Sequence, residues 1–198
     1  MKKIETIWHH ILIEALQGRY KHTQKELAEE FSYSLSTVHH SLKAVSYMGA
    51  VRKTSKFFVL EDFDKLLYYW ASIRNLEKDI LYKAYVDLPV YQIEGLILSG
   101  SVYAGYSAAK KILTESPADY SKVYFYISEG RVEEAKARFP LSTGREPNVF
   151  VLKMPDSMPR YGQVTTLPQT FVDIWNFRDW YSKDFVHSLE TKIHAILP

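Results

Sequence analysis

Residues 23–60 read TQKELAEEFSYSLSTVHHSLKAVSYMGAVRKTSKFFVL, and this stretch decides the fold of the N-terminal part of the chain. It starts with a capping box, in which the Thr23 hydroxyl and the Glu26 carboxylate accept hydrogen bonds from the free amides that open a helix. Ser34 is a second capping residue, and it precedes apolar residues at the spacing of a helix that ends at Met48. These patterns predict two helices joined by a short turn.

One more helix precedes this stretch, and a hairpin ends it. Apolar residues recur every three or four positions from Ile4 to Ala15, and Gly18 then provides the usual helix-ending glycine. After Gly49, two short β-type runs flank the polar residues 54–56 and predict a small hairpin. The predicted order is therefore three helices followed by a hairpin.

This order and the residues of 23–60 closely resemble the winged helix-turn-helix of transcriptional regulators. The resemblance covers about the first third of the chain. It implies that the helix 35–48 enters the major groove of duplex DNA, while the wing 51–60 contacts the backbone or the minor groove. Leu35 and His40 depart from the pattern, because many relatives place Arg on this helix.

The predicted DNA-binding residues lie at the start of the second helix, on the third helix and on the wing. Hydroxyl groups such as those of Ser36 and Thr37 donate to phosphates or base edges, and the ammonium group of Lys43 suits a phosphate. The complete predicted set is Gln24, Lys25, Ser34, Leu35, Ser36, Thr37, His39, His40, Lys43, Arg52, Lys53 and Lys56.

Charge and composition favour the same interpretation. Residues 1–60 contain nine Lys or Arg and five Asp or Glu, whereas residues 61–198 contain sixteen and eighteen. A basic front joined to a slightly acidic remainder suits a DNA-binding module with a second domain. The chain has no cysteine, which excludes disulfides, thiolate metal sites and cysteine nucleophiles. Because its apolar runs are too short to span a bilayer, we expect a cytoplasmic protein with no membrane partner.

The remainder of the sequence predicts an α/β domain. A boundary at Glu61-Asp62 is followed by apolar residues at helical spacing in 63–73, a helix that opens the second core or forms a dimer contact. Strand patterns then alternate with helical ones. The predicted strands are 81–86, 122–127 and 148–153, and the predicted helices are 91–96, 102–113, 131–139 and 180–196. The fold class is therefore α+β, with a winged helix-turn-helix in 1–61 and an α/β effector or dimerisation domain in 62–198.

Two short runs of the second domain resemble known families. Residues 98–106, LSGSVYAGY, look like the glycine–serine turn of the nucleotidyltransferase superfamily, whose amides hold a nucleotide phosphate at a helix start. Residues 167–174, LPQTFVDI, and the helix after them are similar to the end of AbiEi-type regulators. Those proteins join a winged helix to a catalytically silent nucleotidyltransferase-like domain, and they repress their own toxin–antitoxin operon.

Three functions follow from these patterns. The first is a sequence-specific DNA-binding regulator, a repressor that binds double-stranded DNA as a homodimer. The second is an antitoxin that neutralises a partner toxin through its C-terminal domain. Winged helices can also mediate protein contacts without binding DNA. The third is a nucleotidyltransferase that uses Gly100 and Ser101, but the strand 122–128 lacks the carboxylates that hold magnesium in active members. Asp87 and Asp173 are acids on separate segments, with no spacing typical of a metal site.

The sequence predicts no enzymatic activity, no catalytic residue and no cofactor. The adjacent pairs His9-His10 and His39-His40 do not predict a metal site, because neighbouring residues on a helix point in different directions. The leading expectation is therefore DNA recognition by the helix 35–48 and the wing 51–60. The second domain is expected to serve dimerisation or neutralisation of a partner.

Overall fold

The computed structural model describes residues 1–141 and 144–198. Within these ranges the chain is a mixed α+β protein, as predicted, and it divides into two compact units. The first unit comprises residues 1–74 together with 192–198, and the second comprises residues 75–191. No helix in the described ranges is both long enough and apolar enough to cross a membrane.

The first unit combines helices with a three-stranded antiparallel sheet. Its elements are α1 (Lys3–Leu16), β1 (Lys21–His22), α2 (Gln24–Phe31), α3 (Leu35–Tyr47), β2 (Val51–Lys53), β3 (Phe58–Leu60) and α4 (Phe63–Ile73). The strand order is β1-β3-β2, with Val59 on β3 opposite Lys21 on one side and Arg52 on the other. The predicted helices and hairpin are present, and the short strand β1 is an addition that the sequence pattern did not indicate.

The helix ends of this unit confirm Thr23 and Ser34 as capping residues, whereas the Glu26 carboxylate accepts from the Thr23 hydroxyl at 3.3 Å and not, within the described ranges, from an amide as predicted. The Thr23 hydroxyl accepts a hydrogen bond from the Glu26 amide at 3.1 Å, and the Ser34 hydroxyl accepts one from the Thr37 amide at 3.1 Å. These bonds satisfy amides that have no partner within their own helix. Gly18, which follows α1, has a φ of 84°, in the left-handed region that favours glycine at the end of a helix.

Buried polar contacts attach α3 and α4 to α1. The Trp8 indole on α1 donates to the backbone oxygen of Ser41 on α3 at 2.9 Å. The Glu5 carboxylate accepts from the Trp70 indole at 3.2 Å and from the Arg74 guanidinium at 3.3 Å, and all of these groups are buried. Since a buried charge requires a partner, α4 belongs with α1.

This arrangement corrects two expectations about the region after the hairpin. The prediction that the helix 63–73 opens the second core is wrong, because α4 packs in the first unit. The first compact unit also extends past the expected boundary at Glu61 as far as Arg74, and it includes residues 192–198. The apolar spacing of α4 showed that it packs against something, but not which core receives it.

The second unit is built on a four-stranded mixed sheet with the order β4-β7-β6-β5. Its elements are β4 (Ile80–Ala84), α5 (Val90–Gly95), β5 (Val102–Ala104), α6 (Gly105–Leu113), β6 (Val123–Ile127), α7 (Val132–Arg138), β7 (Val149–Lys153), α8 (Leu167–Trp175) and α9 (Ser182–Ile196), whose last residues belong to the first unit. Strands β6 and β7 are parallel, and the other neighbours are antiparallel. One face of the sheet packs against α5 and α7 in a core that includes Ile93, Phe125 and Phe139.

The prediction of a single helix over 102–113 is wrong. This segment forms the strand β5 followed by the helix α6. Tyr103 on β5 lies opposite Phe125 on β6, so the segment forms the edge of the sheet before it turns. Gly105 makes the turn with a φ of 54°, and a Cβ placed there would lie 2.9 Å from the Phe177 ring. Only glycine fits this position without strain.

Helix α8 is not among the predicted elements. Thr166 caps it by accepting a hydrogen bond from the Gln169 amide at 3.3 Å, and Pro168 stands in its first turn. This combination is a recognised helix start, so the signal was present in the sequence.

The four tryptophans differ in exposure between the units. Trp175 at the end of α8 is 45% exposed and Trp180 is 78% exposed, whereas Trp8 and Trp70 of the first unit are buried.

Candidate nucleic-acid interface

Helix α3 separates its buried residues from its exposed ones. Val38, Leu42 and Val45 point into the core of the first unit and are fully buried. Of the residues predicted to face DNA, Gln24 on α2 and Thr37 on α3 are half-buried. Those that are exposed on α3 are Leu35, Ser36, His39, His40 and Lys43. Leu35, the first residue of α3, has 56% of its surface exposed to solvent, which is unusual for a leucine.

A shallow groove connects three elements of the first unit. Its lining comes from the start of α2 at 23–25, from Leu35 at the start of α3, and from the turn between β2 and β3 at 54–57. The structure therefore brings together four of the predicted DNA-binding residues, namely Gln24, Lys25, Leu35 and Lys56. The others lie outside the groove, with Ser34, Ser36, Thr37, His39, His40 and Lys43 at or on α3 and Arg52 and Lys53 on β2.

The surface formed by α3 and the hairpin is basic. Residues 31–60 include four Lys or Arg and contain no Asp or Glu. Lys43, Lys53 and Lys56 are exposed, and none of them forms an ion pair with a residue in the described ranges. Arg52 is different, because its guanidinium lies 2.6 Å from the Glu61 carboxylate. Three ammonium groups on this surface are thus available to an anionic partner.

Thr54 organises the turn at the tip of the hairpin. Its hydroxyl donates to the backbone oxygen of Phe57 at 2.7 Å and accepts from the amides of Lys56 and Phe57 at 3.3 and 3.1 Å. The ammonium group of Lys21 lies 4.0 Å from the centre of the Phe57 ring. Lys21, Thr54 and Phe57 are not in the predicted DNA-binding set. A threonine at the first position of a polar turn could have indicated the role of Thr54, because its hydroxyl often bonds to the backbone of such a turn.

The serine and threonine hydroxyls on α3 differ in their commitments. The Ser34 and Thr37 hydroxyls lie 2.9 Å apart and belong to the hydrogen bonds that begin the helix. The Ser36 side chain is exposed and makes no hydrogen bond with any residue that the structure describes. Of the three predicted hydroxyl contacts, Ser36 is therefore the one that can bond to a ligand without disturbing the helix start.

Three histidines on α1 and β1 of the first unit are buried. The His22 ring on β1 stacks on Phe58 with its Nδ1 atom 3.4 Å from the Glu26 carboxylate, and the His10 Nε2 atom lies 3.3 Å from the Glu30 carboxylate. Burial lowers the pKa of His22, and burial together with the nearby His10 lowers the pKa of His9 to about 3. His9 and His10 are thus core residues. Among the described residues, no group of three or more His, Asp or Glu is arranged to hold a metal ion.

The structure does not place Gly100, Ser101, Asp87 and Asp173 where a nucleotidyltransferase site would require them. The Gly100-Ser101 turn precedes the strand β5 and not a helix, so the expectation of a phosphate site at a helix start is wrong for this turn. Arg131 donates to the backbone oxygen of Ser99 at 2.6 Å beside it. Asp173 is fully buried and accepts hydrogen bonds from Tyr126 and Gln169 at 2.7 and 2.9 Å. Asp87 is exposed, and its carboxylate lies 3.4 Å from the Arg145 guanidinium. The two carboxylates therefore have separate partners.

No protein-family model, no curated protein and no solved structure matches the chain.

Proposed function

We propose that the chain is a DNA-binding transcriptional regulator and that its first unit is a winged helix-turn-helix. The element order of that unit supports the proposal, since α2 and α3 are joined by a short turn and are followed by the β2–β3 hairpin. Strand β1 pairs with β3, so the hairpin is anchored to the helical part of the unit. A short turn of this kind lets the second helix of the pair present its exposed side to a major groove.

The observation that carries the proposal is the charge of the exposed side of α3 and the hairpin. Lys43, Lys53 and Lys56 point into solvent without ion-pair partners in the described part of the chain, and residues 31–60 include no acid that would repel a phosphate. Duplex DNA binds chiefly through phosphate contacts with such cations, which release condensed counterions. An exposed helix face used only for solubility would ordinarily mix both charges.

Within this docking the residues divide by role. The lysines and the groove residues Gln24 and Lys25 contact phosphates and position the protein. Ser36 and Leu35 contact base edges, because a free hydroxyl donates to or accepts from bases and an exposed leucine packs against an apolar base group such as a thymine methyl. The resemblance to AbiEi-type regulators supports repression as the outcome, with a homodimer on paired half-sites.

Fluorescence anisotropy of the full chain tests the proposal. Labelled DNA from the region upstream of the protein's own gene is compared with a scrambled duplex over a series of salt concentrations. We expect tighter binding to the upstream DNA and an affinity that falls steeply with salt. Replacing Lys43, Lys53 and Lys56 by Gln should weaken binding to both duplexes. The slope of log affinity against log salt should also fall, by about 1 for each lysine that no longer neutralises a phosphate.

A matched control removes the same charge from the second unit, at the exposed residues Lys78, Lys110 and Lys183. This control should retain the affinity and the salt slope of the unaltered chain. Equal weakening in both triple variants would show that only net charge matters and would contradict the proposed docking. No binding above background at low salt would reject DNA recognition and direct the search to a protein partner.

A further inference from the structure

A groove in the second unit is not used by the proposed function. It has a volume of about 510 Å³, within the range of small-molecule sites, which is about 300–1,000 Å³. One wall is the segment that follows β4, at 85–88, and the other includes Arg138 at the end of α7 together with Pro140, Leu141 and Arg145. The lining residues that the structure describes all belong to this single unit.

Two arginines line the groove. The Arg145 guanidinium lies 4.9 Å from the centre of the Tyr85 ring, donates to the Tyr85 hydroxyl at 2.5 Å and lies 3.4 Å from the Asp87 carboxylate. The Arg138 side chain is exposed and forms no ion pair with any residue that the structure describes. One guanidinium is therefore held in place and the other is uncommitted, an arrangement that suits a bound carboxylate, phosphate or sulfonate.

The same groove also exposes apolar surface. Leu88 is 40% exposed and Leu141 is 74% exposed, and both line it. A mainly apolar lining with a few convergent polar groups is typical of sites for small organic ligands. Positive charge and exposed leucine in one groove together favour a ligand that has an anionic end and an apolar body.

Hydrogen bonds order one wall of the groove. The Asn148 side chain accepts from the Val86 amide at 2.8 Å and donates to the Val86 backbone oxygen at 2.9 Å. Near the other wall, the Tyr82 hydroxyl donates to the backbone oxygen of Phe139 at 2.7 Å. Order in the wall at Val86 reduces the conformational entropy that a ligand would otherwise have to overcome on binding.

We propose that this groove binds a small amphipathic organic anion, with its acidic group on Arg138 and Arg145 and its apolar part against Leu88 and Leu141. The acidic group is a carboxylate, a phosphate or a sulfonate, since a guanidinium pairs with each of them. Asp87 opposes binding, because its carboxylate competes with the ligand for Arg145. The inference does not depend on DNA binding.

The test uses the full chain and the fluorescent dye anilinonaphthalene sulfonate, which is itself an amphipathic aromatic anion. We expect one saturable dye site for each chain. Arg138→Gln should weaken the affinity about tenfold, the size of effect expected when one charged hydrogen bond is removed. Asp87→Asn should instead strengthen it. Because a molten chain also binds this dye, the near-UV circular dichroism of each variant must match that of the unaltered chain. The exposed Arg178, outside the groove, provides the matched control Arg178→Gln, which should bind the dye unchanged.

Two further arms separate the charged end of the site from its apolar wall. Leu88→Asn should weaken the dye but leave the competition by inorganic phosphate unaltered, because phosphate uses only the arginines. If Arg138→Gln and Asp87→Asn bind the dye as the unaltered chain does, or if the dye binds without saturation, the proposal is overturned. Undiminished dye binding by Leu88→Asn would overturn it too, since the apolar half of the site would then have no role.

Discussion

Ser34 and Ser36 stand close together at the start of α3, and both are exposed, but only Ser34 takes part in the hydrogen bonds that begin the helix. Ser34→Ala should therefore lower the free energy of unfolding by about 1 kcal/mol, the usual cost of removing a capping side chain. Ser36→Ala should change it by less than about 0.5 kcal/mol, as an exposed substitution outside such a contact does. Urea unfolding of the two variants measures the difference.

The same pair separates stability from recognition. If Ser36 contacts a base, Ser36→Ala alters the preference among DNA sequences selected from a random pool, whereas Ser34→Ala weakens binding to all of them. Equal losses of stability in the two variants would contradict the assignment of the cap.

His9 makes the stability of the protein depend on pH. Its pKa is lowered from 6.5 to about 3 by burial and by His10, so the folded chain does not take up a proton that the unfolded chain accepts near pH 6.5. The contribution of neutral His9 is therefore complete above that pH and is lost as the pH falls toward 3. Within this window stability should decrease by up to about 1.4 kcal/mol per pH unit for this group.

Thermal unfolding at a series of pH values measures the effect of His9. His9→Gln removes the titrating group, and the decline of stability on acidification should become shallower even if the variant is less stable at neutral pH. An unchanged slope would mean that other groups, such as His22 with its own lowered pKa, dominate the profile.

At the scale of elements, one buried carboxylate contributes to the attachment of α4 to α1. Glu5→Ala would remove the carboxylate that lies 3.3 Å from the buried Arg74 guanidinium, and the expected loss is about 3–5 kcal/mol in the free energy of unfolding. Replacing both residues by Leu should recover most of this loss, because a buried ion pair adds little over apolar packing. Chemical denaturation of the single and double variants gives the coupling energy. A double variant as unstable as Glu5→Ala would contradict the expected recovery by apolar packing.

The turn between β5 and α6 depends in the same way on Gly105. Gly105→Ala must accommodate both a left-handed φ and a Cβ 2.9 Å from the Phe177 ring, which is itself stacked on Tyr124 at 4.1 Å. Gly100→Ala has the φ strain alone, since its nearest neighbour is 3.6 Å away. We expect a cost of about 1 kcal/mol for Gly100→Ala and clearly more for Gly105→Ala. Comparable melting temperatures of the two variants would contradict the close packing of Phe177.

Local capping contacts made two helix starts of the first unit predictable. Thr23 and Ser34 mark helix starts through contacts only three residues away, and such local hydrogen bonds leave a clear pattern. The strands β1 and β5 are two and three residues long, too short for a period to be recognised. Each exists because a neighbouring strand pairs with it, which is a property of the tertiary structure.

At the scale of the whole molecule, the proposed regulator should bind DNA as a homodimer. Saturation of a duplex that carries two half-sites, with centres about 34–36 Å apart, should then require two chains. A duplex with one half-site should bind much more weakly, because the second chain then has no half-site of its own. Light scattering of the complex measures the stoichiometry, and a single chain on the saturated full site would contradict the dimer.

The candidate site shows the same division between local and tertiary information. The exposed positions of α3 follow from the helical period, and the structure places Leu35, Ser36 and Lys43 on the open face. The groove at Leu35 did not follow, because it requires the hairpin turn at 54–57 to lie beside the starts of α2 and α3. The pairing of Arg52 with Glu61 was equally hidden, and it makes Arg52 the least available of the predicted cations.

The placement of the tryptophans gives each unit its own spectroscopic label. Trp8 and Trp70 are buried in the first unit, while Trp175 and Trp180 of the second are 45% and 78% exposed. Emission from the first pair is shielded from an aqueous quencher such as iodide, and emission from the second pair is accessible to it. Melting of the first unit therefore shifts the shielded emission to longer wavelength and makes it quenchable. A single titration with iodide can thus report on the first unit without any attached dye.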